Sequence, residues 1–205
     1  MTPASLEVTG LSCRRGGRPV FEDLSFAVTG GELLALTGRN GSGKTTLLRA
    51  LALLLTTGTG QIRWRGEDVA GDREAWRRQI AWLGHLDGLK GDLSVRENLA
   101  VAAKLRDESP DRIDQALASF DLEALARRDV RTLSAGQRRR AALARVASTH
   151  APLWLLDEPL NALDAPSQAA LRAMLGRHLA AGGLAIAATH APIDVAGARV
   201  LELGR

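Results

Sequence analysis

The sequence predicts an α/β fold: a mostly parallel sheet with flanking helices, an antiparallel β layer beside it, and an inserted helical subdomain. Three observations carry this prediction. An apolar run leads through a glycine-rich loop into a stretch of helix formers at 32–54. Three alternating segments, at 5–9, 19–28 and 60–66, surround that unit and read as strands. Between about 86 and 132 strand signals are scarce, and helix-start signals replace them.

Composition narrows the setting. At 205 residues the chain can bury the core of one α/β domain. Its net charge of +4 admits nucleic acid or an anionic membrane surface as partner. The charges are spread along the chain, however, and the one dense cluster, Arg138-Arg139-Arg140, lies inside a motif; nucleic acid is not expected. A single cysteine, Cys13, excludes an internal disulfide and fits a reducing compartment. The start lacks the layout of a signal peptide, and the longest apolar run, 47–55, is interrupted by Arg49. The chain is therefore expected to be soluble, with any membrane role requiring a partner.

Taken in order, the segment 5–9 opens the β layer, 19–28 continues it, and Gly30-Gly31 turns the chain into the apolar strand 32–37. Gly38-Arg39-Asn40-Gly41-Ser42-Gly43-Lys44-Thr45 then fits G-x-x-x-x-G-K-[ST], followed by Thr46 and a helix to about 54. Strand, glycine loop and helix form the context in which backbone N–H groups and a helix N-terminus converge on phosphate. Lys44 would reach the terminal phosphates of a nucleotide such as ATP, and the Thr45 hydroxyl would hold Mg²⁺. The segment 60–66 closes the early β region, and 80–84 reads as a core strand. Ser94 and Glu97 form a capping box ahead of a helix expected over 98–106, and Pro110 leads a second over 112–120. The inserted subdomain is expected to span roughly 86–150 within one domain covering 1–205.

Two later stretches extend the nucleotide reading. Ser134-Ala135-Gly136-Gln137 begins a helix through 145, where a serine cap and a glycine leave N–H groups open to an anion. Alone, that is only a helix start with a basic face. The apolar strand 153–158 ends in Asp157 and Glu158. A carboxylate at the end of a strand near a phosphate loop is the expected second Mg²⁺ ligand, and the next one could polarise an attacking water. The strand 184–190 delivers His190, a residue that in isolation is more often structural than catalytic.

In this order the pieces resemble the ATP-binding subunits of ABC transporters over essentially the whole chain. Residues 38–45 match Walker A, and 133–137 match the signature with Ala135 in place of a glycine. Residues 156–159 match Walker B, 161–164 the D-loop, and His190 the switch histidine. The resemblance implies a P-loop NTPase core of the ABC ATPase type and a head-to-tail homodimer with two ATP molecules at its interface. Ser134, Ala135, Gly136 and Gln137 would face the ATP held by the other subunit. Glu158 and His190 would be catalytic, and Thr45 and Asp157 would hold Mg²⁺.

A narrower resemblance, to the haem-exporter ATPases of bacterial cytochrome c maturation, rests on Trp82-Leu83-Gly84-His85, Gly88-Leu89-Lys90, the signature stretch 133–140, the strand 153–159 and Thr189-His190-Ala191-Pro192. It implies a peripheral protein on the cytoplasmic face of the inner membrane, working with an integral membrane permease subunit. There ATP hydrolysis would serve release of a haem-loaded chaperone from its complex; this chain itself is not expected to bind haem. Two positions depart from the superfamily pattern. Arg15 falls where an aromatic residue usually stacks on adenine, and a guanidinium can stack on a base as well. His85 stands where a glutamine normally senses the γ-phosphate; imidazole can offer one donor and one acceptor toward phosphate and Mg²⁺. Three alternatives stay open at this point: another exporter's ATPase, for a drug or a lipid; a chromosome or repair ATPase, for which the insertion lacks sustained heptads; and a regulator without hydrolysis, against which Glu158 and His190 speak.

Overall fold

In the computed structural model residues 4–204 are described, and two sheets organise them. β1 (Ser5–Arg15), β2 (Arg18–Thr29), β4 (Thr59–Trp64) and β5 (Glu67–Asp68) form an antiparallel sheet in the order β2-β1-β4-β5. β3 (Leu33–Thr37), β6 (Ile80–Leu83), β7 (Leu153–Asp157), β8 (Leu184–Ala188) and β9 (Ala198–Glu202) form a parallel sheet in the order β6-β7-β8-β3-β9.

Except for β9, the strands of the parallel sheet are covered on both faces, which is why they read as continuous apolar runs. Alternation along them assigns each side chain to a face. On β7, Trp154 and Leu156 enter the core shared with the helices, whereas Leu153 and Leu155 enter the core shared with the antiparallel layer. On β8, Ala185 and Ala187 face the first core, and Leu184, Ile186 and Ala188 face the second. Leu155 and Ile186 are fully buried, and burying a side chain of that size stabilises by about 1.5–3 kcal/mol.

The helices are α1 (Lys44–Leu51), α2 (Arg73–Gln79), α3 (Val95–Lys104), α4 (Ile113–Ser119), α5 (Ala135–Ala147) and α6 (Ala165–Ala180). α3, α4 and α5, with short 3-10 turns at Pro110–Arg112, Glu123–Leu125 and Val130–Thr132, lie between β6 and β7. No helix among the described residues is long and apolar enough to cross a membrane.

Several expected boundaries move. The helix expected over 98–106 is α3, which begins at Val95 because the capping box puts Ser94 at the cap itself. The helix expected over 112–120 is preceded by the 3-10 turn and starts at Ile113. The first strand runs on past 9 to Arg15, because its cross-strand partners on β2 continue through register shifts as far as the Arg15–Arg18 pair.

The order of the parallel strands fixes where a ligand can sit. β6, β7, β8 and β3 are consecutive neighbours running the same way, so the segments that leave their carboxyl ends line one edge. Those segments begin with Gly84 and His85, Glu158, Thr189 and His190, and the glycine loop 38–43.

Candidate nucleotide and hydrolysis site

The glycine loop is held by close approaches that a side chain would block. Gly38 has φ 131, and a Cβ there would lie 2.4 Å from the Leu203 carbonyl oxygen. Gly43 caps α1 in a left-handed conformation at φ 98, with Val20 Cγ1 2.8 Å from where a Cβ would stand. Lys44 is buried and donates from Nζ to the carbonyls of Gly38 at 2.8 Å and Arg39 at 3.2 Å. The loop thus stores its cation against its own backbone.

Behind the loop, the Thr45 hydroxyl donates to Asp157 Oδ1 at 3.0 Å. Asp157 closes β7 and is 2 % exposed; its second oxygen, Oδ2, is buried with no hydrogen-bond partner. A buried carboxylate oxygen without a donor calls for a cation or a polarised water. Among the described residues no three His, Cys, Asp or Glu side chains gather into a metal cluster. Hence the donor set is one carboxylate and one hydroxyl, which fits Mg²⁺ when phosphate oxygens and water complete its shell.

Glu158 follows with φ 49, a left-handed conformation uncommon for a residue with a side chain. Its N–H donates to Ala188 O at 2.9 Å, tying the turn after β7 to the end of β8. That places its carboxylate Oε1 3.3 Å from Nε2 of His190. Glu158 is mostly buried, whereas the His190 side chain is about half exposed.

A cavity of about 550 Å³ joins these groups, within the usual range for a small-molecule site. Its wall holds the loop from Asn40 to Thr46 together with Arg15, Val20, His85, Glu158, Asn161 and His190. Of the residues expected at the site, Gly38, Arg39 and Asp157 lie behind the wall: the first two hold Lys44, and Asp157 holds Thr45. Arg15, at the end of β1, and His85, just beyond β6, both reach the cavity.

Ser134, Ala135, Gly136 and Gln137 do not. Ser134 caps α5, its hydroxyl accepting from Gln137 N at 3.2 Å while Gln137 Oε1 accepts from Ser134 N at 2.9 Å. This helix start is solvent-facing and outside the cavity wall. Its neighbour in the same chain is the turn before α6, for a methyl at Gly136 would stand 3.2 Å from Ala162 O. That turn ends at Asp164, which caps α6; hydrogen bonds from Ser167 hold its carboxyl below the usual range.

The sequence reading assigned no site role to Val20, to Asn161 of the D-loop match, or to Arg139; the first two line the cavity. Arg139 is buried on α5 and donates to the carbonyls of Gly84, Asp157 and Glu158. Arg145, further along α5, donates to Trp82 O; burial pushes its guanidinium below the ordinary range, while Asp87 opposes the shift.

Comparison with known proteins places the chain among relatives. The family profile described as "ABC transporter" matches residues 21–161. The chain is 48% identical over 201 residues to the cytochrome c biogenesis ATP-binding export protein CcmA of Rhodospirillum rubrum, covering 98% of this chain and 86% of that one. It is 45% identical over 207 residues to the protein of the same name from Paramagnetospirillum magneticum, covering 99% and 95%. Among solved structures, one titled as the ATP binding subunit of an ABC transporter superposes with a TM-score of 0.83 at 29% identity, over 90% of this chain and 79% of that one.

Proposed function

The chain belongs to the ABC transporter family, and from that premise we propose that it is the ATP-hydrolysing subunit of a membrane complex for haem handling in c-type cytochrome biogenesis. One observation carries the chemistry: the phosphate loop, with Thr45 bonded to Asp157, lines the same cavity as the Glu158–His190 pair.

The residues divide the work. Backbone N–H groups of 40–46 and the start of α1 receive the phosphates of ATP. Lys44 leaves the Gly38 and Arg39 carbonyls for the terminal phosphates, a short move because its partners are loop atoms. Thr45 and Asp157 would hold Mg²⁺, which would supply neutralisation of phosphate charge. Glu158 accepts a proton from the attacking water, and His190, within contact of the same carboxylate, orients it and donates toward the γ-phosphate. Arg15 flanks the loop where a base would lie, and His85 takes the place of a γ-phosphate sensor.

Ser134, Ala135, Gly136 and Gln137 serve a second copy of the chain. Their open helix start lies outside the cavity of their own subunit, which supports a head-to-tail homodimer in which each signature closes the partner's ATP site. The assignment to haem handling rests on the relatives named for cytochrome c biogenesis export. It implies an integral membrane permease as partner, a peripheral position on the cytoplasmic face of the inner membrane, and an indirect link to a haem-loaded chaperone.

The test is genetic. A strain carrying Glu158→Gln as its only copy should lose mature c-type cytochromes while its b-type cytochromes persist. Normal haem staining of c-type cytochromes in that strain would transfer the ATPase to another exporter.

A further inference from the structure

Arg139 is 5 % exposed, and its two terminal nitrogens are fully engaged. Nη2 donates to Asp157 O at 2.8 Å and to Glu158 O at 2.6 Å. Nη1 donates to Gly84 O at 3.1 Å and to Asp87 Oδ1 at 3.1 Å. Only Nε lacks a partner. A buried guanidinium is costly to desolvate, and a hydrophobic residue of similar size would fill the same space with less loss. The placement of its bonds therefore matters more than the burial.

Those bonds reach two segments that border the cavity. Glu158 sits at φ 49, a conformation that persists only where its surroundings hold it. It is held from both sides, by its own N–H on Ala188 O and by Arg139 on its carbonyl. Fixing that peptide aims the side chain, since the Glu158 carboxylate must leave the turn toward His190. The other half of the fork grips Gly84 and Asp87, the residues on either side of His85 and Leu86. Arg139 is not among the residues that line the cavity, and it reaches the cavity only through one of them, Glu158.

We infer that Arg139 is a positioning residue for hydrolysis, fixing the Glu158 carboxylate and the His85 segment in one frame carried by α5. The inference rests on the ATPase reading above and adds to it a specific dependence. Nucleotide binding rests mainly on 40–46, which the fork does not bond, whereas the chemical step depends on the Glu158 carboxylate that it holds. A displacement of the reacting group by about 1 Å costs on the order of 100-fold in rate.

The experiment is steady-state ATPase kinetics on the full chain, with a thermal melt to fix a temperature at which every protein is folded. Arg139→Gln, which can reach at most one of the two segments, should lower kcat by about 100-fold with KM for MgATP within about twofold. Arg139→Lys, which keeps a cation and some of the bonds, should fall between it and the wild type. Asp87→Asn, which leaves the carbonyl contacts and weakens one arm, should lower kcat by less than Arg139→Lys. If Arg139→Gln does not fold, the Lys and Asp87→Asn proteins carry the test. Wild-type kcat in the variants overturns the inference, and so does a rise in KM at unchanged kcat, which would make Arg139 a binding residue. A wild type with no ATPase activity, either alone or with its permease, would instead sink the hydrolase reading, and this inference with it.

Discussion

The hydroxyl of Thr45 donates to Oδ1 of Asp157 at 3.0 Å across 112 positions of sequence, and the carboxylate's other oxygen faces no donor. The first turn of α1 and the last residue of β7 are thus joined by one bond that leaves a buried negative oxygen in reserve. In Asp157→Asn the amide oxygen can still accept from Thr45, but the charge is gone. Mg²⁺ should then cease to strengthen ATP binding, a loss of at least about tenfold in affinity, or roughly 1.4 kcal/mol. Titrating ATP with and without Mg²⁺ measures it; an undiminished Mg²⁺ effect would rule Asp157 out as the ligand.

Lys44 and Glu158 should fail differently. Lys44→Ala removes the buried cation from the loop and should weaken both nucleotide binding and turnover. Glu158→Gln retains size and hydrogen bonding but not the base, so turnover should fall by about 10²–10⁴-fold while ATP still binds. Size-exclusion chromatography with ATP and Mg²⁺ should show the Gln protein as a dimer and the Ala protein as a monomer. Wild-type hydrolysis by Glu158→Gln would refute the base assignment.

His85 lines the same cavity as the phosphate loop. Glutamine offers a donor and an acceptor as imidazole does, so His85→Gln should keep most of the permease-stimulated ATPase activity and His85→Ala should lose it. The measurement belongs in the reconstituted complex. An alanine variant with full stimulation would leave His85 as mere lining.

Far from the cavity, His178 gives the fold a pH dependence. Its ring stacks on Trp154 with centroids 3.8 Å apart, and burial pushes its pKa from an ordinary 6.5 down to about 4 despite the Leu184 carbonyl at 3.1 Å. The folded chain therefore holds His178 neutral where the unfolded chain would protonate it. Its full contribution is present above pH 6.5 and is lost as the pH falls toward 4, for a total of about 3 kcal/mol. Urea unfolding across that window should show the decline, and His178→Gln should flatten it. Equal slopes for the two proteins would contradict the assignment.

What could be read from the sequence was local. The glycine loop, the capping box at Ser94, the serine cap at Ser134, and the Asp157-Glu158 strand end each announce themselves within a few residues. Arg139 could not be read this way, because its partners lie 18 to 55 positions away and its neighbours Arg138 and Arg140 look the same in sequence. α6 escaped notice for a related reason: Pro166 and Gly176 interrupt its helix formers, and its buried set mixes Ser167 with Leu171, Met174, Leu175 and Leu179. β9 is mostly exposed along its length, and only its pairing with β3 makes it a strand.

That pairing has a use in solution. The N–H of Leu203, just past β9, donates to Thr37 O at 2.9 Å, while its carbonyl oxygen occupies the space a side chain on Gly38 would need. The loop cannot shift at Gly38 without pressing on this one residue. The Leu203 amide is therefore a native reporter of the loop's state: its exchange with deuterium from the solvent should slow when nucleotide settles against Gly38, with no label attached.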